Sequence, residues 1–204
     1  MAFYTVLCLS VLVFRLATGL SSHPAAETLA NFSPIAALFL CGGLFIDRRY
    51  AWLLPLGVFV LSDLVLNWRY AASNPSVSFV ETLLSPYLII RYGLFLALFG
   101  AGRFLRAAAN WPVLLGCAVT GSFLFYVVTN SASWLFLPEY PKSLAGWLQA
   151  LTWGLPGFPP AFLFFRNTLL GDLVFTGLFA LLLRPAFLPR TRAASPSSTA
   201  PVRL

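Results

Sequence analysis

Long apolar runs separated by short polar breaks dominate the chain. Six stand out, at about Phe3 to Leu20, Pro34 to Ile46, Ala51 to Trp68, Leu84 to Gly102, Pro112 to Leu137 and Ala161 to Leu183. Several reach the roughly 20 residues needed to cross a hydrocarbon core of about 30 Å. The second is shorter and is expected to start in the headgroup layer or to be extended by Leu29 to Ser33. A seventh stretch, Ser143 to Leu155, is too short to span and lies between Tyr140-Pro141 and the breaker Pro156-Gly157-Phe158-Pro159-Pro160, which predicts an interfacial or re-entrant helix. In Asn31-Phe32-Ser33-Pro34 the expected helix start has Ser33 or Asn31 as cap and Pro34 in the first turn.

Composition agrees with this pattern. Of 204 residues, 59% are hydrophobic and 9% charged, whereas soluble domains are about half apolar and about a quarter charged. The mean hydropathy is +0.84. A water-soluble fold is excluded by the shortage of polar surface, and an all-α polytopic membrane protein is expected. It would have about six transmembrane helices and one short interfacial or re-entrant helix, in a single domain over 1–183 followed by a disordered cytoplasmic tail over 184–204. The first segment lacks a basic leader and a clean Ala-x-Ala cleavage pattern, so it is expected to stay as a helix.

Net charge is +7, but the 13 basic residues are scattered through apolar runs, so no nucleic-acid partner is expected. Their distribution predicts orientation instead. With the N-terminus inside, the cytoplasmic side receives Arg48, Arg49, Arg103, Arg106, Arg184, Arg190, Arg192 and Arg203, and the outer side only Arg69 and Lys142. Both termini are therefore expected in the cytoplasm, with the lipid of a bacterial inner membrane as the main partner. Trp52, Trp68, Trp111 and Trp134 fall near segment ends, as an aromatic belt requires. Cys8, Cys41 and Cys117 sit in apolar runs as packing residues, and the single histidine, His23, is expected in an exposed loop. No metal and no cofactor is expected.

Charge inside a bilayer is costly unless paired or facing water. Here the polar positions gather toward one side: Asn31, Ser62-Asp63, Arg91, Thr129-Asn130 with Trp134, and Arg166, Asn167, Thr168 and Asp172. The cytoplasmic halves are nearly all apolar. This asymmetry predicts an outward-facing polar cavity closed beneath by a hydrophobic plug, with Asn31, Asp63, Arg91, Thr129, Asn130, Trp134, Arg166, Asn167 and Asp172 as candidate ligand-binding residues. The plainer reading is a rigid bundle in which Asp63 pairs with Arg91, and Asp172 with Arg166 or Arg15, only to neutralise charge. Arg166, beside Phe164 and Phe165, would offer a fork of donors and stacking surface to a small planar or anionic metabolite. Ser62 and Thr129 more often bond helix carbonyls than act as nucleophiles. The stripe Gly93, Ala97, Ala101, with Gly116, Thr120 and Gly121, reads as a helix-packing face or a docking face for another subunit.

Asn31-Phe32-Ser33-Pro34, Ser62-Asp63, Thr129-Asn130, Tyr140-Pro141, Leu144-Ala145-Gly146 and the run from Phe164 to Asp172 resemble an uncharacterised family of bacterial integral membrane proteins, in matching order from about Asn31 to Leu183. Membership of that family implies no particular activity. More distantly, the six-helix layout resembles the S components of energy-coupling-factor vitamin transporters. That resemblance implies capture of a ligand from the outer side and docking on an energising subunit, although Phe3 to Leu20 lacks the Ala-x-x-x-Ala docking motif common in S components. The function expected is small-molecule binding or transport. The alternatives are a structural subunit of a membrane complex or, with Ser62-Asp63 or the Arg166, Asn167 and Asp172 group as acid-base machinery, an intramembrane enzyme. With no histidine in the bundle and no paired carboxylates close in sequence, no enzymatic activity is expected.

Overall fold

The computed structural model describes residues 2–21 and 31–183; His23 and the segment from Arg184 onward lie outside the described residues. Within them the chain forms α1 (Ala2–Gly19), α2 (Ile35–Phe45), α3 (Leu53–Ser73), α4 (Phe79–Leu83), α5 (Pro86–Phe104), α6 (Trp111–Phe136), α7 (Leu144–Leu151) and α8 (Ala161–Leu183), with a 3₁₀ turn at Leu105–Ala108 after α5. Five helices are long and apolar enough to cross a bilayer. The second apolar segment becomes the 11-residue α2, which at 1.5 Å per residue is about 16 Å long and reaches only part of the way across. The fold is thus an all-α polytopic membrane protein, and α7 is the short helix expected after Tyr140-Pro141.

Helix starts follow local chemistry. Ser85 caps α5 with Pro86 in its first turn, Asn110 accepts the Val113 N–H at 2.9 Å to open α6, and Ser143 accepts the Gly146 N–H at 3.2 Å to open α7. The start of α2 differs from the expected cap. Pro34 itself occupies the cap position without a side-chain bond, Ser33 Oγ lies 3.4 Å from the Ile35 N–H, and Asn31 adopts a φ of 68°. Asparagine tolerates this left-handed turn better than most residues.

α2 is the axis of the bundle, with every residue from Ala37 to Leu44 buried. The long helices turn one face inward and another outward, where Leu61, Val65, Ile89, Phe123, Val174 and Leu181 are exposed, as lipid-facing side chains are. Around α2, Phe39 stacks on Phe95 at 5.5 Å, Phe95 stacks on Phe125 at 5.3 Å, and Phe59 meets Phe95 edge-on at 4.9 Å. These rings tie α2, α3, α5 and α6 into one apolar core.

Because α2 ends early, its last carbonyls need partners inside the bundle. Arg106 donates from Nε to the Leu44 carbonyl at 3.0 Å and pairs with Asp47, while Arg103 donates to the Ile46 carbonyl at 3.2 Å. Residues that sequence counting treats only as orientation signals therefore also cap a helix. Arg106→Gln should lower stability by about 1–2 kcal/mol, and a reversible melt in detergent that shows no shift would remove this capping role.

Candidate functional site

The charged centre is built on three helices. Asp63 on α3 is almost fully buried and accepts from Arg15 of α1 and from Arg91 of α5, the latter through Nη2 at 3.4 and 3.5 Å. Both guanidiniums also lie over the Phe59 ring, at 5.0 Å for Arg15 and 5.2 Å for Arg91. The pairing of Asp63 with Arg91 is as expected from the sequence, but the closer partner is Arg15. That corrects the alternative assignment of Arg15 to Asp172.

The two arginines are not equivalent. Arg15 is the more enclosed, with 15% of its side chain exposed, and its buried Nε has no hydrogen-bond partner. Arg91 holds Asp63 at the limit of hydrogen-bond length and leaves 33% of its side chain exposed. Two guanidiniums sharing one carboxylate leave a local excess of one positive charge.

This excess faces a cavity of about 1190 Å³. Its polar wall includes Arg15, Asn31, Arg91, Thr129, Thr168 and Asp172. Thr129 and Thr168 bond the carbonyls of Phe125 and Phe164 on their own helices, and Ser62 does the same with Phe59, as polar residues in a helix usually do. Asp172 accepts the Ser122 hydroxyl at 2.5 Å, and no cation pairs with it among the described residues. A pairing of Asp172 with Arg166 is therefore overturned. Arg166 is exposed on the outside of α8 and donates to the neighbouring Asn167 Oδ1 at 3.2 and 3.3 Å. Six residues separate Arg166 from Asp172, so helical geometry turns them to different faces.

Of the nine residues expected at a site, the structure brings Asn31, Arg91, Thr129 and Asp172 to the cavity and puts Asp63 directly behind Arg91. Asn130, Trp134, Arg166 and Asn167 do not line it. Asn130 bonds the Tyr126 carbonyl, and Trp134 donates to the Pro141 carbonyl at 2.9 Å, holding the loop before α7 against α6. Arg15 is the residue that sequence reasoning leaves out of the site. An arginine in the middle of the first apolar run was the available signal, since intramembrane charge by itself marks a position for scrutiny.

The hydrophobic plug is also corrected. The cavity continues past the charged centre between α5 and α6, along Leu94, Ala101, Leu105, Val113 and Gly116. The small residues Ala97, Ala101, Gly116 and Thr120 line this trough, and a Cβ added at Gly93 or Gly116 would meet nothing within 4 Å. They open space where helix packing was the expectation, but Gly121 of the same stripe does pack, an added Cβ there lying 3.0 Å from Leu98 of α5. Close packing occurs also at Gly43 and Gly102, where α2 and α5 meet.

Two motif segments meet at the mouth of the cavity: a Cβ on Gly171 would lie 3.1 Å from the Ser33 nitrogen and 3.3 Å from the Phe32 ring. Among the described residues, no group of three or more His, Cys, Asp and Glu side chains is placed to hold a metal ion. No curated protein and no solved structure matches the chain. Residues 1–192 match the profile of a family of unknown function (DUF6580), and the chain, an integral membrane protein by its apolar helices, belongs to that family.

Proposed function

We propose that this protein binds, within the membrane, a small molecule carrying an anionic group, and that Arg91 and Arg15 receive that group. The observation that carries the reading is the pair of guanidiniums sharing one buried carboxylate on a cavity wall. An anion there completes the charge balance of the Arg15–Asp63–Arg91 centre, which by itself is short by one, in surroundings where electrostatic attraction is strong. Arg91, loosely held and partly exposed, reads the ligand, whereas Arg15 is kept in place by Asp63.

The basic-residue count supports a bacterial inner-membrane location with both termini cytoplasmic and the cavity opening outward. The distant likeness to S components supports capture as the first step of uptake, with an energising subunit as partner. Capture is favoured over turnover because the hydroxyls of Ser62, Thr129 and Thr168 are spent on helix carbonyls, and Ser122, the hydroxyl set against the Asp172 carboxylate, is buried and does not line the cavity.

The test is a thermal melt in neutral detergent with a series of carboxylates from acetate to palmitate, each compared with its primary amide. Some carboxylate should raise the melting temperature where its amide does not, and Arg91→Gln should remove the difference. Arg166→Lys should keep it, since Arg166 lies away from the cavity. If no carboxylate outperforms its amide on the wild type, the reading fails.

A further inference from the structure

From the shape of the cavity we infer that the ligand is a long-chain amphiphile, with a single anionic head at Arg91 and Arg15 and one hydrocarbon tail laid in the trough between α5 and α6. This rests on the anion-binding reading above and adds the class of molecule. The first observation is length. From Arg91 to Leu105 the trough follows α5 for fourteen residues, about 21 Å at the helical rise. An acyl chain of one leaflet spans about half of a hydrocarbon core of roughly 30 Å, so an extended chain of lipid length fits with its head at the arginines.

The second observation is the division of chemistry along that length. Apart from Asp172 on α8, charge lies at the end near Arg15 and Arg91, while Leu94, Leu98, Ala101, Leu105, Val113 and Gly116 form apolar walls beyond it. A compact polar metabolite would leave those walls without a partner; a hydrocarbon tail covers them. The volume of about 1190 Å³ exceeds the roughly 300–1,000 Å³ of pockets that enclose drug-sized ligands. The third observation is the absence of side-chain bulk at Gly116, where a Cβ would find open space, whereas at Gly121 the Leu98 side chain lies 3.0 Å from an added Cβ. Asp172 also faces the cavity, from α8.

The experiment uses the full chain in nanodiscs of neutral phosphatidylcholine and palmitic acid carrying a diazirine at its terminal carbon. After irradiation, adducts mapped by mass spectrometry should fall within residues 101–120, and Arg91→Gln should reduce labelling about tenfold. Unlabelled palmitate or single-chain lysophosphatidate should compete, and the stronger of the two identifies whether a free fatty acid or a phospholipid head is preferred; palmitamide and acetate should not. Adducts spread over the outward-facing residues and unchanged in Arg91→Gln would overturn the inference. So would acetate or another short carboxylate stabilising the protein as well as palmitate does, a result that leaves the anion-binding reading standing.

Discussion

Asp63→Asn is expected to be the most damaging single neutralisation in the bundle, lowering stability by about 3–5 kcal/mol. The substitution keeps the volume of the side chain but removes the one carboxylate that Arg15 and Arg91 share, leaving two guanidiniums over the Phe59 ring with no anion between them. Removing one partner of a buried ion pair costs far more than removing both, because an uncompensated charge stays behind. The second-site response then separates the two arginines. Arg15→Gln, which removes the more buried guanidinium, should restore most of the stability lost in Asp63→Asn, and Arg91→Gln should restore less because its contacts are long and partly solvated. Coupling in the Arg15–Asp63 cycle should therefore exceed that in the Arg91–Asp63 cycle by about 1 kcal/mol or more. Reversible unfolding in mixed micelles measures both cycles, and equal or absent coupling would show that the carboxylate does not organise the centre.

The parts of this architecture that are legible in the sequence are those that the bilayer imposes on each segment separately. A helix that must cross hydrocarbon needs a long apolar run, so the ends of α1, α6 and α8 fall within about two residues of their expected positions. α3 is the exception, running five residues beyond Trp68 to Ser73, because its last turn carries polar groups that apolar patterning does not count. Intramembrane charge likewise draws attention to Asp63 and Arg91 wherever their helices lie. What cannot be read is which charges meet. Arg15 and Asp63 are 48 positions apart, and only the parallel packing of α1 against α3 brings them together; the same packing takes Arg15 away from Asp172. Ser122, whose hydroxyl satisfies Asp172, lies between Gly121 and Phe123 with nothing nearby in the chain to mark it as a carboxylate's partner. The cavity suffered the same ambiguity, since a stripe of small residues can either close two helices together or leave a trough between them.

Glycine substitutions decide between those two uses, and Gly43→Ala and Gly102→Ala should each lower stability by about 2–3 kcal/mol. A Cβ at Gly43 would lie 2.2 Å from the Phe99 carbonyl oxygen, and one at Gly102 would lie 2.5 Å from the Leu40 carbonyl oxygen. Both obstacles are backbone atoms of the facing helix, so no rotamer change relieves the overlap and α2 must move away from α5. That movement loosens the Phe39–Phe95 stack and carries the Leu44 carbonyl away from Arg106. Gly93→Ala and Gly116→Ala meet nothing within 4 Å, and with alanine the better helix former they should be neutral or stabilising by up to about 1 kcal/mol. Melts of the four single variants therefore sort the glycines by the helix they face. A loss at Gly116→Ala as large as that at Gly102→Ala would mean that α5 and α6 are closed against each other and that no trough lies between them.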